Sequence, residues 1–234
     1  MFIHGKRTRI VINDAPFSCV SNSISTARSV ELGDSTAFCD TGQRFTPGVV
    51  TDTVSLSGHW EDESDTTLHE ALMVNDSLLV TIAPAGFGVG SLVRVCVNDP
   101  SAHNIDSSIS DVTNFTLEAA VDDFIDRGVS LHDLVTETED GSSAGVNNGT
   151  DTSNGGVAAL HVTRASGVDP TLDVVIQHSE DGSTWVDLVE LTQATDTTSE
   201  RVFVSGDVHQ HVRAIWEIGG TSPNLDFVVS FARR

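Results

Sequence analysis

Two histidines and three aspartates are spaced in a way that could support metal chemistry. His209 and His211 lie two positions apart, so in a strand both imidazoles would face the same side and could bind a transition metal. A pair of ligands alone is weak evidence, and solvated histidines are the simpler interpretation. Asp122, Asp123 and Asp126 offer carboxylates to calcium, but they do not follow the spacing of an EF-hand loop. We therefore predict no metal site.

The residues that could support catalysis or cofactor binding do not form a recognisable pattern. The chain contains no nucleophile elbow, no HExxH motif and no paired acid and base at a diagnostic spacing. The glycine-dense Gly86–Gly90 segment lacks a Walker lysine and a following helical pattern, so a turn is the better interpretation. Cys19, Cys39 and Cys96 are odd in number and form no CxxC pair. We predict that the protein is not an enzyme and needs no cofactor.

The charge of the chain indicates the solvent to which the protein is adapted. Its 234 residues include 34 acidic and 12 basic side chains, giving a formal net charge of −22, and Lys6 is the single lysine. Aspartate is short and strongly hydrated, whereas lysine exposes a long apolar stem. At about 1 M salt the screening length is only about 3 Å, so the repulsion among these charges nearly vanishes. The composition indicates a protein adapted to brine, such as the high-salt interior of a haloarchaeon.

The same composition excludes two kinds of partner. Binding to nucleic acid through the general electrostatic field needs clustered lysine and arginine, which a chain this acidic does not offer. No window approaches 18 apolar residues, so we expect no membrane span, and the first seven residues lack the apolar core of a signal peptide.

The elements that would position all these residues are mainly β-strands. In the first part of the chain, short runs bounded by turn residues predict strands over 53–57, 78–83, 92–97 and 114–121. One short helix is predicted over 66–74, with Ser64 or Asp65 as its cap and with Leu68, Ala71 and Leu72 on one face.

A change of composition divides the chain. Residues 137–156 hold almost no apolar side chains, which predicts a long loop or a linker between domains. A second β-rich block follows, with a turn over 167–170 and an Asp-Gly hairpin loop over 179–183. Its strands are predicted over 157–162, 172–178, 185–189, 201–204, 211–216 and 225–231. Regular turn spacing without a helical period predicts a small antiparallel sandwich. Trp60, Trp185 and Trp216 are expected to anchor a core or an interface.

Several segments, taken in order, resemble the tail tube proteins of tailed viruses. The segment 40–48 contains a Phe-Thr-Pro-Gly turn, and 52–60 ends in Ser-Leu-Ser-Gly-His-Trp before the short helix. Residues 126–134 resemble the middle of siphovirus major tail proteins. Residues 177–185, 211–216 and the terminal Phe-Val-Val-Ser-Phe-Ala-Arg-Arg are similar to their carboxy-terminal β domain. The acidic charge departs from the family and fits a virus of a haloarchaeon.

This resemblance implies a fold and a division into domains. The fold would be mainly β, with a tail-tube β-sandwich or barrel carrying one short helix, and a C-terminal antiparallel β-sandwich. The domains would be a tail-tube domain over 1–136 with an N-terminal arm, a polar loop or linker over 137–156, and the C-terminal domain over 157–234.

The resemblance also implies a function and a set of partners. Subunits would join into rings, hexameric or pseudo-hexameric, that stack into a hollow tube for genome delivery. Partners would be other copies of the chain, other tail proteins at the tube ends, and viral DNA passing through the lumen without specific binding. The protein would be assembled in the host cytoplasm and reside in the virion tail. Residues expected to matter for assembly or structure are Phe45, Pro47, Gly48, Gly58, Trp60, Arg127, Gly128, Asp181, Gly182, Trp185 and Trp216.

Two other functions remain open at this point. The chain could be another virion component, such as a capsid decoration or tail terminator protein. It could also be a carbohydrate-binding or adhesion module, although three tryptophans and no tyrosine offer few side chains for a sugar platform.

Overall fold

A computed structural model of the chain describes residues 4–74 and 76–234. It is mainly β with one short helix, which confirms the predicted fold class. The strands are β1 (Arg9–Ile12), β2 (Ala15–Pro16), β3 (Ser21–Asp34), β4 (Phe45–His59), β5 (Leu78–Ala83), β6 (Leu92–Asp106), β7 (Asn114–Glu137), β8 (Gly141–Ser142), β9 (Val146–Asn147), β10 (Gly156–Ser179), β11 (Val186–Glu190), β12 (Thr198–Val204) and β13 (His211–Arg233). The helix α1 spans Asp62–Val74, and a 3-10 turn spans Gly5–Arg7.

The chain divides into two compact units. Unit 1 comprises the N-terminal residues up to Cys19 together with Leu79–Cys96 and Asp126–Arg234, and unit 2 comprises Val20–Leu78 and Val97–Ile125. This division differs from the one expected at 137–156, which lies inside unit 1. The two units are defined by how compactly their residues pack and not by independent folding. The predicted domains over 1–136 and 157–234 therefore stay a prediction.

Unit 1 is built around two long strands. β10 and β13 pair antiparallel along almost their whole lengths, from Gly156 with Arg233 to Ser179 with His211. β12 and β11 pair with the other edge of β10, while β7 pairs with the C-terminal half of β13. Alternating apolar side chains on these strands are buried, among them Leu160, Val174, Leu225, Phe227 and Phe231.

The turn predicted over 167–170 lies inside this strand pair. The register shifts between Ser166 and Val168 and again between Val168 and Thr171, so the chain is irregular there without reversing direction. Gly167 and Gly220 have φ values of +126° and +105°, which suit glycine. The turn-forming residues therefore produce β-bulges in this strand pair. The segments 211–216 and 225–231, predicted as two strands, belong to the single strand β13.

The polar segment 137–156 is not a free linker. β8 pairs with Ile215 and Trp216, and β9 pairs with His211 and Val212, so both short strands lie along β13. A polar, glycine-rich sequence can pair in this way because ladder hydrogen bonds use the backbone and need no apolar side chains.

The N-terminal segment, expected to be an arm, is also part of unit 1. Its first three residues lie outside the described part of the chain. β1 pairs antiparallel with β5, and Ile10, Val11 and Ile12 are buried. Three consecutive apolar residues favour a strand covered on both faces, which explains why this stretch packs into the unit.

Unit 2 contains β3, β4, α1 and the adjoining parts of β6 and β7. β4 pairs antiparallel with β7 from Thr53 with Ala120 to His59 with Asn114. Buried apolar side chains in this unit include Val54, Leu56, Leu68, Phe115 and Leu117. The helix begins at Asp62, earlier than the predicted cap at Ser64 or Asp65, and three carboxylates in its first turn interact favourably with the helix dipole. Of the predicted helix face, Leu68 and Ala71 are buried.

Candidate functional site

The most distinctive surface of unit 2 is the hairpin formed by β3 and β4. The strands are 14 and 15 residues long, so at about 3.3 Å per residue the hairpin extends roughly 45 Å. Residues 27–39 and 41–51 are all exposed, on both faces of the strands. The exposed side chains include Leu32 at 60%, Phe45 at 51% and Val49 at 70%. We call residues 27–51 the outer half of the hairpin. Within unit 2, no other described element covers it.

The hairpin also has edges with which no other described strand pairs. Among the described strands, β3 pairs only with β4, and β4 gains a second neighbour only from Thr53 onward. Within the described residues, no strand therefore pairs with the side of β3 that faces away from β4, or with the side of residues 45–51 that faces away from β3. Such an edge is a ready template for pairing with another chain.

Two of the residues singled out from the sequence, Pro47 and Gly48, lie on this edge. Pro47 lies opposite Leu32 and has no N–H to donate, which restricts proline to strands with a free edge. Gly48 lies beside a register shift between Val30 and Leu32, where a Cβ would approach the Glu31 carbonyl oxygen to 3.3 Å. The Phe-Thr-Pro-Gly segment therefore forms the start of the edge strand β4, with Phe45 exposed.

An ion pair between the exposed Arg28 and the buried Asp52 joins the two strands at the base of the exposed part. Arg28 donates to both carboxylate oxygens of Asp52, over 2.8 Å and 2.6 Å, and the backbone N–H of Ile125 donates to the same carboxylate over 3.0 Å. Asp52 is 3% exposed, so its charge is compensated by a bidentate partner. The two residues are 24 positions apart and no sequence motif marked them, because only the strand register makes them neighbours.

Close backbone contact explains the glycine at the other end of β4. A Cβ on Gly58 would collide with the carbonyl oxygen of Val20 and the ring of Phe115. Trp60 follows the strand, and its backbone N–H donates to the Thr113 backbone carbonyl over 2.9 Å. Its side chain is 40% exposed, so Trp60 does not anchor a core.

In unit 1, the residues that were expected to matter for assembly or structure lie in different parts of the unit. Gly128 packs against the backbone of Phe231 and Ala232, where a Cβ would collide, whereas Arg127 is exposed. The neighbouring Asp126 is 7% exposed and binds Arg201 over 2.9 Å and Arg234 over 2.8 Å. This carboxylate therefore belongs to an ion-pair network and is not grouped with Asp122 and Asp123 as a calcium site.

Asp181 and Gly182 form the tip of the β10–β11 hairpin. The Asp181 carboxylate accepts hydrogen bonds from the backbone N–H groups of Thr184 and Ser183, each over 2.8 Å, and from the Ser179 hydroxyl over 3.0 Å. These bonds, led by the Thr184 N–H, lower the pKa of Asp181 to about 2. Gly182 has a φ of +71°, which the tight loop requires.

The two tryptophans of unit 1 differ in environment. Trp216 is 7% exposed, donates its Nε1–H to the Glu139 carbonyl over 3.2 Å, and lies edge-on to His132 at 4.5 Å between ring centroids. Trp185 is half-buried, with the Arg213 guanidinium 4.4 Å from its ring centroid. Trp216 is thus a core anchor, and Trp185 contributes a cation–π contact at the surface.

His209 and His211 do not share a site. The His209 Nδ1 lies 3.3 Å from Asp151 and its ring 4.5 Å from that of His178, whereas the His211 Nε2 lies 3.4 Å from Asn147. Within residues 4–74 and 76–234, no group of three or more histidine, cysteine or acidic side chains could hold a metal ion. No helix in that part of the chain is long and apolar enough to cross a membrane.

Comparison with known proteins gives likenesses among virion structures. No family model matches the chain, and no curated protein matches it. The structure is similar to a chain from the virion of a native gene transfer agent particle, with a TM-score of 0.45 and 13% identity, covering 53% of this chain and 97% of that one. It is similar to the SPP1 tail tube protein, with a TM-score of 0.43 and 8% identity, over 54% and 77% of the two chains.

A third likeness spans nearly the whole molecule. The SPP1 Dit protein, described as a hub adsorption apparatus protein, matches with a TM-score of 0.39 and 9% identity over 97% of this chain and 99% of that one. With TM-scores below 0.5 and identities below 15%, these likenesses do not by themselves assign a function.

Proposed function

We propose that this chain is the major tail protein of a siphovirus-like virus, a structural subunit that self-assembles into stacked rings forming a hollow tail tube. The observation that carries the proposal is the exposed outer half of the β3–β4 hairpin. It presents strand edges with which no other described strand pairs, and exposed apolar side chains that include Leu32, Phe45 and Val49. Such a surface is a liability in a lone subunit, and pairing with neighbouring copies removes it.

The sequence resemblance supports the same function independently of the hairpin geometry. The segments at 40–48, 52–60, 126–134 and 177–185 occur in the order found in tail tube proteins. We extend the proposal to the virion tail as the site of the protein and to the host cytoplasm as the place of assembly. Other tail proteins would bind at the tube ends, and the host would be a haloarchaeon.

The charge of the chain suits passage of DNA. With a net charge of −22, an assembled tube presents many carboxylates, and these repel phosphates. A lumen lined by such groups would let the duplex slide without adhering, so viral DNA would pass without specific binding.

Electron microscopy of purified protein tests the proposal. In concentrated KCl, negative staining should show rings or long hollow tubes. The double variant Leu32→Asp/Val49→Asp should remain folded, because both side chains are exposed, but should fail to form tubes. The matched control Val168→Asp/Val186→Asp, at two exposed valines of unit 1, adds the same charge and should assemble like the parent. Dispersed monomers of the unmodified protein at every salt and protein concentration would overturn the proposal.

A further inference from the structure

A cluster of basic side chains lines a cleft in unit 1. Lys6, Arg7 and Arg9 bring three of the 12 basic residues of the chain into four consecutive positions. They line an open cleft of about 540 Å³ together with the loop around Gly86 and with Asp133. This concentration of positive charge contrasts with a chain whose net charge is −22.

The three cations are available to a ligand. All three side chains are exposed, and within the described residues none of them forms an ion pair with a carboxylate. Arg9 donates only to the carbonyl oxygens of Lys6 and Thr8, over 3.4 Å and 3.1 Å. Asp133 lines the same cleft and accepts a hydrogen bond from the Leu134 N–H over 2.9 Å. One carboxylate leaves an excess of two positive charges in the cleft.

We propose that this basic cleft binds the acidic segment Glu61–Glu63 of a second copy of the chain. The inference rests on the proposed self-assembly and names one of its contacts. Glu61–Glu63 is the only run of three consecutive acidic residues in the sequence, and all three side chains are exposed at the start of α1. Three carboxylates thus match three cations in number and in opposite charge.

The composition of the cleft suits a contact made in brine. At about 1 M salt, screening over about 3 Å leaves attraction only between charges in direct contact. Two of the three cations are arginines, which bind carboxylates through two parallel hydrogen bonds. A second copy is favoured as the occupant because each copy presents three exposed carboxylates in a row at one fixed place, which matches three cations held within four consecutive positions.

Charge reversal tests the contact in the full-length chain. The variant Lys6→Glu/Arg7→Glu/Arg9→Glu should raise the protein concentration needed for tube formation at least tenfold, while its thermal midpoint stays close to that of the parent. The variant Glu61→Arg/Asp62→Arg/Glu63→Arg should show the same defect. Combining all six changes in one chain returns the net charge to −22 and should restore assembly.

A matched control distinguishes the effect of where the reversed charges lie from the effect of the net charge. Here Lys6→Glu/Arg7→Glu/Arg9→Glu is combined with Asp76→Arg/Asp106→Arg/Asp111→Arg, which changes three other exposed carboxylates and also gives −22. This chain should remain defective. Rescue by the control, or failure of rescue by the Glu61–Glu63 reversal, would overturn the contact.

Two further outcomes distinguish this inference from the proposed function. If the unmodified protein forms tubes and the basic-cleft variant forms them equally well, the contact is wrong while the tail-tube function stands. If that variant assembles normally but loses retention of a short DNA duplex, the cleft serves nucleic acid and the inference is overturned. Failure of the unmodified protein to form tubes would remove the basis of both.

Discussion

At the scale of single residues, His161 shows how burial fixes a protonation state. Its side chain is fully buried in unit 1, with Nε2 2.7 Å from the Thr81 hydroxyl and Nδ1 2.6 Å from the Asn13 carbonyl oxygen. Burial lowers the pKa of His161 to about 4, because the charged imidazolium would lose its hydration. The neutral ring instead links β5, β10 and the β1–β2 turn through two hydrogen bonds.

This buried histidine predicts a loss of stability in mild acid. Between pH 6.5 and about 4 the unfolded chain binds a proton at position 161 and the native protein does not, so the free energy of unfolding falls as the pH falls. The full shift corresponds to about 3 kcal/mol. Urea unfolding at constant KCl should show this slope in the parent protein and a shallower one in His161→Gln. Parallel pH profiles for the two proteins would contradict the assignment.

At the scale of elements, the two halves of strand β4 have different environments, and its proline and glycines mark which half is which. Its first half is an exposed edge containing Pro47 and Gly48. Its second half pairs on both sides and approaches Val20 and Phe115 closely at Gly58. Among the described strands the edge half pairs only with β3, whereas the second half pairs with both β3 and β7 and contributes to the core of unit 2.

The close approach at Gly58 predicts a large effect of a single methyl group. Gly58→Ala should destabilise the protein by about 1–3 kcal/mol, because the colliding atoms include backbone that cannot easily move. Gly42→Ala is the control, since nothing lies within 4 Å of the added Cβ in the hairpin loop. Thermal unfolding of the two variants measures the difference, and equal midpoints would refute the packing argument.

At the scale of the whole molecule, the excess of carboxylates predicts a dependence on salt. Self-repulsion among the net charges acts over about 10 Å at 0.1 M salt and over about 3 Å at 1 M. The thermal midpoint should therefore rise steeply with KCl, with each kcal/mol adding about 2–4 °C. A variant with Asp106, Asp111 and Asp122 changed to Asn should gain less from added salt. A flat response in the parent protein would contradict adaptation to brine.

The candidate assembly surface was only partly predictable from the sequence. The turn and glycine signals at 45–48 and at Gly58 marked positions that the structure shows to be an edge and a close contact. Whether these residues act in assembly stays a prediction. The pairing of Arg28 with Asp52 was not found, because only the strand register makes them neighbours. The run of basic residues over 6–9 is visible in the sequence, but the cleft that it lines together with the loop around Gly86 and with Asp133 is not, because those segments are distant in the chain.

The sequence by itself determined the local and compositional properties of this protein: a mainly β chain, one short helix with Leu68 and Ala71 inward, and a surface dominated by aspartate and glutamate. These depend on residue type and on periodicity along a single element. The tertiary structure decided which strands pair, since β10 and β13 join residues up to 77 positions apart. That choice turned a predicted turn into a bulge, laid the polar segment 137–156 along β13, and left the outer half of the β3–β4 hairpin uncovered. Strand pairing joins segments far apart in the chain, so no local pattern specifies it.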